Sequence, residues 1–412
     1  MIKFEQHTLA NGLKVIVHED HTTSMGAVNI LYKVGSRDES PEQTGFAHLF
    51  EHFMFEGSVN IPEFDTPLQN AGGENNAFTS SDITNYYDIL PAANLETAFW
   101  LESDRMMSLA FEDDSLNTQK NVVMEEFKEH YINQPYGDVW HKMTSLAYKV
   151  HPYQWPVIGK DLTHIERVQM QSAKDFFFKY YRPNNAVLVV AGDVKAADVF
   201  QLAEKWFGEI PAGPKFERNI PQEPLQQEAR VLDVHAKVPV NALYKAYKMS
   251  DRTDPNYYAA DLIRDILSTG DSSRLYHELV KEKKLFSSIS AYSTETVDAG
   301  LFMVDGKLNP GVSMDDADKA VKEVLQKMVE EKVSSEELEK VKNKIESYLL
   351  FGETNILNRA MNLAYFEMLG DAAGVNREVE RYLNVTPEQM QQAAAAIFRD
   401  ENSNTIRYFS KN

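Results

Sequence analysis

The sequence predicts an α+β fold made of two duplicated halves. The chain has 412 residues, 43% of them hydrophobic, which is enough for more than one core of ordinary size. Residues 211–228, PAGPKFERNIPQEPLQQE, are rich in proline and poor in apolar side chains, as is typical of a linker between compact units. We therefore predict an N-terminal half at 1–210 and a C-terminal half at 229–412, joined by a linker at 211–228.

Short strand-like segments of one half recur in the other in the same order. LKVIVHED, at 13–20, has a counterpart in RVLDVHAK at 230–237. Near the end of each half, NAVLVVAG corresponds to NTIRYFSK. Each half is thus predicted to run from a strand, through helices, to a returning strand.

The helix before each returning strand begins with the spacing of a capping box. Thr163 with Glu166, and Thr386 with Gln389, have a hydroxyl followed three positions later by an acid or amide. The spacing predicts that a helix starts at each threonine, in corresponding places of the two halves.

The segment FAHLFEHFMFEG, from Phe46 to Gly57, places three polar side chains on one face of an otherwise apolar helix. At 3.6 residues per turn, His48, Glu51 and His52 lie within an arc of roughly 100°. This arc can be the solvent-facing side of an amphipathic helix. It can also be a zinc site, because imidazoles four residues apart can reach one ion. Its order, HxxEH, is the inverted form of the HExxH zinc-protease signature.

The second half offers a comparison for this helix. YAADLIRDILSTG aligns with the same apolar positions, and the three polar positions become Asp261, Arg264 and Asp265. We expect an acidic and basic surface face there. The repeat therefore requires a polar arc with or without a metal, whereas the first half uses two imidazoles and one carboxylate in the one arrangement useful for zinc.

A hydrolytic zinc site needs three protein ligands and an open fourth position. The chain has no cysteine, so the third ligand must be an imidazole or a carboxylate. The candidate helix is SLNTQKNVVMEEFKEHY, in which Glu125 and Glu126 follow a predicted buried stripe. Solvated acids on a charged helix are the alternative explanation for this pair.

Taken together, these segments resemble the pitrilysin or insulinase-like zinc peptidases, including the small bacterial and mitochondrial-processing types. That family joins HxxEH to a glutamate in a downstream helix reading roughly VVxEE, and Glu126 matches that glutamate. The resemblance implies a mainly antiparallel sheet covered by helices in each half. Further family signatures are matched in order by LANGLKVIV, VGSRDESPEQTGFAHLFEHFMFEGS, NAGGENNAFTSSDITNYY, HPYQWPVIG and YYRPNNAVLVVAGD.

The resemblance implies a zinc-dependent endopeptidase that cleaves extended peptides or unstructured segments. His48, His52 and Glu126 would hold one zinc ion per chain. Glu51 would be the general base that accepts a proton from the zinc-bound water and later delivers it to the leaving amine.

The resemblance also implies a substrate-binding strand at Asn76, Ala77 and Phe78. A free strand edge beside the metal would bind an extended peptide through its backbone. Without the family, AGGENN is a turn and AFTSS is an ordinary half-buried edge strand.

The sequence departs from the family pattern at two places. Gln119 stands where the family often has a second glutamate in the ligand helix, and an amide cannot supply the same charge. An arginine and a tyrosine that commonly hold the scissile carbonyl in the family are replaced by Val280 and Ser287, and neither can replace a cationic or phenolic donor aimed at an oxyanion. We therefore predict a zinc-bearing subunit whose homologous second subunit supplies the Arg/Tyr pair. The alternatives are a homodimer, or substitution by Tyr276 or Lys283.

Charge and hydropathy restrict the partners and the location. A formal net charge of −20 argues against binding to nucleic acid or to an anionic membrane. The N-terminal residues lack a signal-peptide pattern and no segment is long and apolar enough to span a bilayer, so we expect a cytoplasmic protein, or a periplasmic one if a signal peptide was removed.

Two rival functions are a non-catalytic core or scaffold subunit on the same fold, and an unrelated hydrolase whose HxxEH arose by chance. The second leaves Glu126 unexplained.

Overall fold

The computed structural model describes Met1 to Lys411, which form two compact units. Unit 1 consists of Met1–Lys128, Trp155–Pro221 and Leu350–Arg377. Unit 2 consists of Glu129–Gln154, Gln222–Leu349 and the residues from Glu378 onward. Each predicted half supplies most of one unit, and one of the places where the chain changes unit, 221–222, lies inside the predicted linker. The metal-binding role given to the first half stays a prediction.

Unit 1 is built on a sheet that has six strands within the described part of the chain. These are β1 Glu5–Thr8, β2 Lys14–Glu19, β3 Met25–Tyr32, β4 Glu74–Thr79, β5 Thr84–Pro91 and β6 Ala186–Gly192. Their order is β1-β2-β6-β3-β5-β4; β2 and β6 are parallel, and the other neighbours are antiparallel. β3 and β6 are almost wholly buried, because the sheet is covered on both faces, which explains their continuous apolar sequences.

Unit 2 repeats this topology. Its strands, counted over the described residues, are β7 Arg230–Ala236, β8 Ala242–Lys248, β9 Phe286–Ser293, β10 Leu301–Leu308 and β11 Ser403–Ser410. The order β7-β11-β8-β10-β9 matches β2-β6-β3-β5-β4 strand by strand, and β7 and β11 are again the parallel neighbours. The predicted duplication and the mainly antiparallel sheets are therefore confirmed.

Helices cover both sheets. They are α1 Phe46–Phe53, α2 Asp65–Asn70, α3 Leu95–Met107, α4 Asp113–Phe127, α5 Val139–Ala147, α6 Leu162–Glu166, α7 Met170–Tyr180, α8 Ala196–Phe207, α9 Tyr257–Ser268, α10 Met314–Glu330, α11 Ser335–Gly352, α12 Ile356–Met368, α13 Glu378–Leu383 and α14 Pro387–Ile397. Two π-helical turns lie at Lys128–Ile132 and Tyr276–Glu282. Along Met1 to Lys411, no helix combines the length and the apolar character needed to cross a bilayer.

Two helices pack in the unit opposite to their half of the sequence. α12 lies on β3 and β6 of unit 1, where Ala360, Leu363 and Ala364 are fully buried. In the other direction, α5 lies on β8 and β11 of unit 2. The sequence patterns predicted neither crossing, so both are findings of the structure.

Polar contacts fix α12 to β2 within unit 1. One guanidinium nitrogen of Arg359, Nη1, lies 2.9 Å from Nε2 of His18 and 2.6 Å from Oδ2 of Asp20. Since arginine only donates, Nε2 of His18 accepts, and its Nδ1 donates to the Lys3 carbonyl at 2.7 Å.

One of the two predicted capping boxes is present. Thr386 and Gln389 cap α14 reciprocally. The prediction at Thr163 is wrong, because the N-cap of α6 lies two residues earlier. There the carboxylate of Asp161 accepts the backbone N–H of Thr163 at 2.8 Å, and so takes the N-cap position.

Candidate metal and catalytic centre

Helix α1 is held by its aromatic side. Phe46, Ala47, Leu49, Phe50 and Phe53 are buried. The Phe50 ring packs against three aromatic rings of α7 and the residue after it, with centroid separations from 5.2 to 6.3 Å. This packing leaves the predicted polar face of the helix half-buried rather than free in solvent.

The three predicted ligands converge between α1 and α4. The Nε2 atom of His48 lies 3.7 Å from Oε1 of Glu126, and Nε2 of His52 lies 3.5 Å from Oε2 of the same carboxylate. The donor atoms of all three side chains lie within 4.8 Å of one another. Their side chains remain 13%, 27% and 33% exposed, so an ion and a substrate can reach them.

These distances fit a zinc ion better than direct hydrogen bonds. Separations of 3.5 and 3.7 Å exceed the 2.7–3.2 Å of an N–H···O bond. Ligands about 2.0–2.1 Å from a tetrahedral zinc lie about 3.4 Å apart, close to the observed spacing. The donor set, two imidazoles and one carboxylate, is also one that catalytic zinc uses. The residues present therefore fit the metal that the sequence predicts.

The environment of His48 favours the neutral imidazole that a metal needs. Burial lowers the pKa of His48, while the Glu126 charge acts in the opposite direction. Within the described chain its Nδ1 atom is buried and has no hydrogen-bond partner. The Nε2 atom faces the carboxylate, so it is the atom available to an ion.

Glu51 lies on the same face of α1, between the two histidines. It is half-buried, and its charge opposes the lowering of the His48 pKa. Burial raises the pKa of Tyr86 and Tyr181, and the Glu51 charge adds to both shifts. Glu51 is thus in electrostatic reach of the ligand cluster, where a general base has to be.

The start of α1 is fixed by a buried acid that the sequence analysis did not identify. The Glu39 carboxylate accepts the backbone N–H groups of Gly45 and Ala47, each at 2.9 Å. Burial raises the pKa of Glu39 to about 8, although both amide donors act in the opposite direction. Gly45 has a φ of +88°, and a Cβ there would lie 2.7 Å from the Ile158 carbonyl oxygen. No spacing rule for helix caps reaches back as far as Glu39.

Gln119, the first departure from the family pattern, has an acidic neighbour. Its Nε2 donates to Oε1 of Glu56, which follows the end of α1. The amide therefore supplies no charge of its own, but a carboxylate lies directly beside it.

The predicted substrate residues lie on β4, the edge strand of the unit 1 sheet. β4 pairs with β5 on one side and contacts α1, and its residues alternate between exposed and half-buried. Asn76 and Phe78 are exposed, and Ala77 is half-buried. The Oδ1 atom of Asn76 accepts the backbone N–H of Ala77 at 2.8 Å. The edge-strand part of the prediction is thus present beside the ligand helix, and the substrate role stays a prediction.

The counterpart of α1 in unit 2 corrects one expectation. Asp261 and Asp265 of α9 are buried, so they do not form a surface face. Arg264 lies 3.1 Å from Asp261 and 3.6 Å from Asp265, and the Tyr382 hydroxyl donates to Asp261 at 2.9 Å. Paired charges replace the imidazoles here because buried acids require partners. Tyr382 lies on α13, so the spacing of residues along α9 could not predict that Asp261 is buried.

In unit 2, the residues at the family's Arg/Tyr positions and their two possible substitutes contact neighbouring residues of the same unit. Val280 lies in a π-helical turn and packs on the unit 2 core, and the Ser287 hydroxyl donates to the Lys307 carbonyl at 3.2 Å. Lys283 is 3.1 Å from Glu323, and the ring of Tyr276 lies under the Lys281 ammonium.

Comparison with known proteins defines the class. Residues 14–161 match the family described as Insulinase (Peptidase family M16), and residues 167–345 match the family described as Peptidase M16 inactive domain. Together the two matches cover most of the chain. This chain therefore belongs to peptidase family M16.

Individual relatives agree with this class. Zinc protease PqqE of Helicobacter pylori is 31% identical over an alignment of 412 positions, which covers 98% of this chain and 92% of that protein. The crystal structure of a protease from Helicobacter pylori superposes with a TM-score of 0.92 at 30% identity, covering 99% of this chain and 100% of the other. The probable mitochondrial-processing peptidase subunit beta of Arabidopsis thaliana is 24% identical over an alignment of 357 positions, which covers 83% of this chain and 66% of that protein.

Proposed function

We propose that this chain is a zinc-dependent endopeptidase that cleaves extended peptides or unstructured segments. The observation that carries the proposal is the convergence of His48, His52 and Glu126 to within 4.8 Å, on two helices of one unit. Zinc protease PqqE, with similarity along most of both chains, supports the same chemistry.

Zinc held by these three ligands would polarise the scissile carbonyl and make a water molecule acidic enough to act near neutral pH. His48 supplies Nε2 from a ring whose partial burial lowers its pKa, which favours the neutral form. The Glu51 carboxylate takes the water proton on one of its oxygens and then gives it to the amide nitrogen that leaves. Its position one turn from His48, on the same helix face, keeps that transfer within a single site.

The substrate would lie along β4 as an added strand. The outer edge of β4 offers backbone donors and acceptors, with Asn76, Ala77 and Phe78 at its centre. Such binding selects an extended backbone more than particular side chains, so broad specificity is expected. The Asn76 side chain now occupies the Ala77 N–H and has to turn away when a peptide pairs there.

We further propose that this chain is the zinc-bearing subunit of a two-chain enzyme. Val280 has no side-chain donor, the Ser287 hydroxyl donates to the Lys307 carbonyl, and Lys283 is paired with Glu323, so none of them takes the place of a cationic or phenolic donor. A homologous subunit would then supply an arginine and a tyrosine. The similarity to a protein named as a processing-peptidase subunit supports this arrangement. A homodimer remains the alternative, and light scattering of the purified chain with its peptidase assay distinguishes the two.

A non-catalytic scaffold is the second candidate, favoured by the match of residues 167–345 to a family described as inactive. It predicts a chain that assembles without turnover, whereas the ligand set and Glu51 are intact in the first half.

For location we propose the cytoplasm, and recovery of the chain from a periplasmic extract would contradict it.

The decisive experiment compares three variants for zinc content and for cleavage of an unstructured peptide, alone and with a candidate partner. Glu51→Gln should keep one zinc per chain and lose turnover, while Glu126→Gln should lose zinc. Glu125→Gln is the matched control, because that neighbouring side chain is 73% exposed and pairs with Lys128. Full activity of Glu51→Gln would refute the proposal, as would wild-type chain that never binds zinc.

A further inference from the structure

The loop between β3 and α1 runs along the turn that follows the edge strand β4. The backbone N–H groups of Ser36 and Arg37 donate to the carbonyls of Ser80 and Ser81, at 3.3 and 3.0 Å. The turn itself spans residues 80–83, between the end of β4 and the start of β5. The loop therefore binds the end of the strand on which the substrate is proposed to lie.

A buried ion pair reinforces this contact. Nη1 of Arg37 lies 2.9 Å from Oδ1 of Asp82, and the two side chains are only 8% and 6% exposed. Buried charges of this kind hold a fixed geometry, because separating them would leave each one without compensation. Asp82 is three residues past the end of β4, so the pair sets where that strand ends relative to the loop.

Gly35 shows how close the approach is. A Cβ on this residue would lie 2.4 Å from the Ser81 carbonyl carbon and 2.5 Å from the Asp82 nitrogen. Its φ of −150° is ordinary, so closeness of the two backbones, rather than conformation, is what requires glycine. Any side chain here would push the turn away.

The same loop is bound to α1 at its other end. Glu39 accepts the N–H groups of Gly45 and Ala47, and Ala47 directly precedes the ligand His48. The indole N–H of Trp155 donates to the Ser36 carbonyl at 3.0 Å and holds the middle of the loop. One short, buried stretch thus joins the end of the substrate strand to the start of the metal helix.

We propose that Arg37, Asp82 and Glu39 are positioning residues that fix the register of a peptide on β4 relative to the metal ligands on α1. None of them lies in the ligand cluster, so they act through the strand and the helix. The inference deepens the proposed peptidase function and rests on it. Its consequence is specific: a displaced turn slides the bound peptide past the metal and changes which bond is cut.

The test maps the cleavage products of a long unstructured peptide by mass spectrometry, with zinc content and kcat and KM measured in parallel. The paired variant R37M/D82N removes both charges of the ion pair, and G35A pushes the turn without deleting a hydrogen-bonding group. Both should keep the wild-type zinc content, shift cleavage to neighbouring bonds, and lower kcat/KM by roughly tenfold to a hundredfold.

The matched control is R359M/D20N, which removes another partly buried ion pair of unit 1, between α12 and the residue that follows β2, away from β4. It should lower stability while leaving the set of products unchanged. Folded R37M/D82N and G35A that cut the wild-type bonds, with kcat/KM within twofold, would overturn the inference. Should R37M/D82N fail to fold, G35A and R37K decide by the same criterion. Wild type that cleaves no better than Glu51→Gln would refute the proposed function instead.

Discussion

Helix α12 provides the sharpest test of how unit 1 is held together. Leu363 is fully buried against the unit 1 core, although it follows the whole of β7 to β10 in the sequence. Truncating a buried leucine to alanine costs 2–5 kcal/mol, and about 3 kcal/mol is expected for a side chain with no exposed surface. A loss of that size raises the fraction of molecules in which unit 1 is transiently unfolded by about 150-fold.

Hydrogen exchange with peptide-level mass spectrometry measures this effect for each sheet. Leu363→Ala should accelerate exchange in β3 and β6, up to about 150-fold for amides that open with the unit, and leave β8 and β11 unchanged. Leu338→Ala is the control, because Leu338 is 5% exposed in the core of unit 2 and should accelerate the other sheet. Unchanged exchange in β6 of Leu363→Ala, or acceleration confined to unit 2, would refute the assignment of α12 to unit 1.

Three further outcomes follow from the structure. Burial raises the pKa of Glu39 to about 8 from its usual 4.5, so the folded chain binds more protons between those values. Stability should therefore fall by about 3 kcal/mol from acid to pH 7 and level off above about pH 8, and Glu39→Gln should flatten this slope in urea titrations at several pH values. Lys245 is fully buried, 2.6 Å from the half-buried Asp318, so Asp318→Asn should cost roughly 3 kcal/mol and Lys245→Met under about 1 kcal/mol; equal costs in urea denaturation would contradict this. Chelation of zinc should lower the thermal midpoint of wild type and leave that of His48→Ala unchanged, and equal shifts in both would show that the metal binds elsewhere.

The closeness of His48 and His52 was predictable, because they are one helical turn apart on α1. Glu126 lies on a separate helix, and the resemblance to the family pattern selected it. The duplicated strands were equally accessible, since β2 and β7 retain a common pattern at corresponding places.

Features set by distant contacts could not be predicted in this way. The apolar stripe of α12 shows that one face is buried, but not which sheet buries it. Glu39 caps a helix from outside the range of any capping rule, because the folded loop brings it back. Asp261 is in contact with Tyr382, which lies on a separate helix. The residues around Asp261 in the sequence therefore could not predict its burial.

The crossing of α12 into unit 1 also has a consequence for biosynthesis. When β6 leaves the ribosome, the face of the sheet that α12 will cover, which includes Val187 and Val189, is still open. At 5–20 residues per second, roughly ten to forty seconds pass before residues 350–377 emerge and close it. Throughout that interval the nascent chain exposes an apolar sheet face. The yield of folded protein should therefore depend on chaperone supply more strongly than the yield of a protein whose domains are completed one after the other.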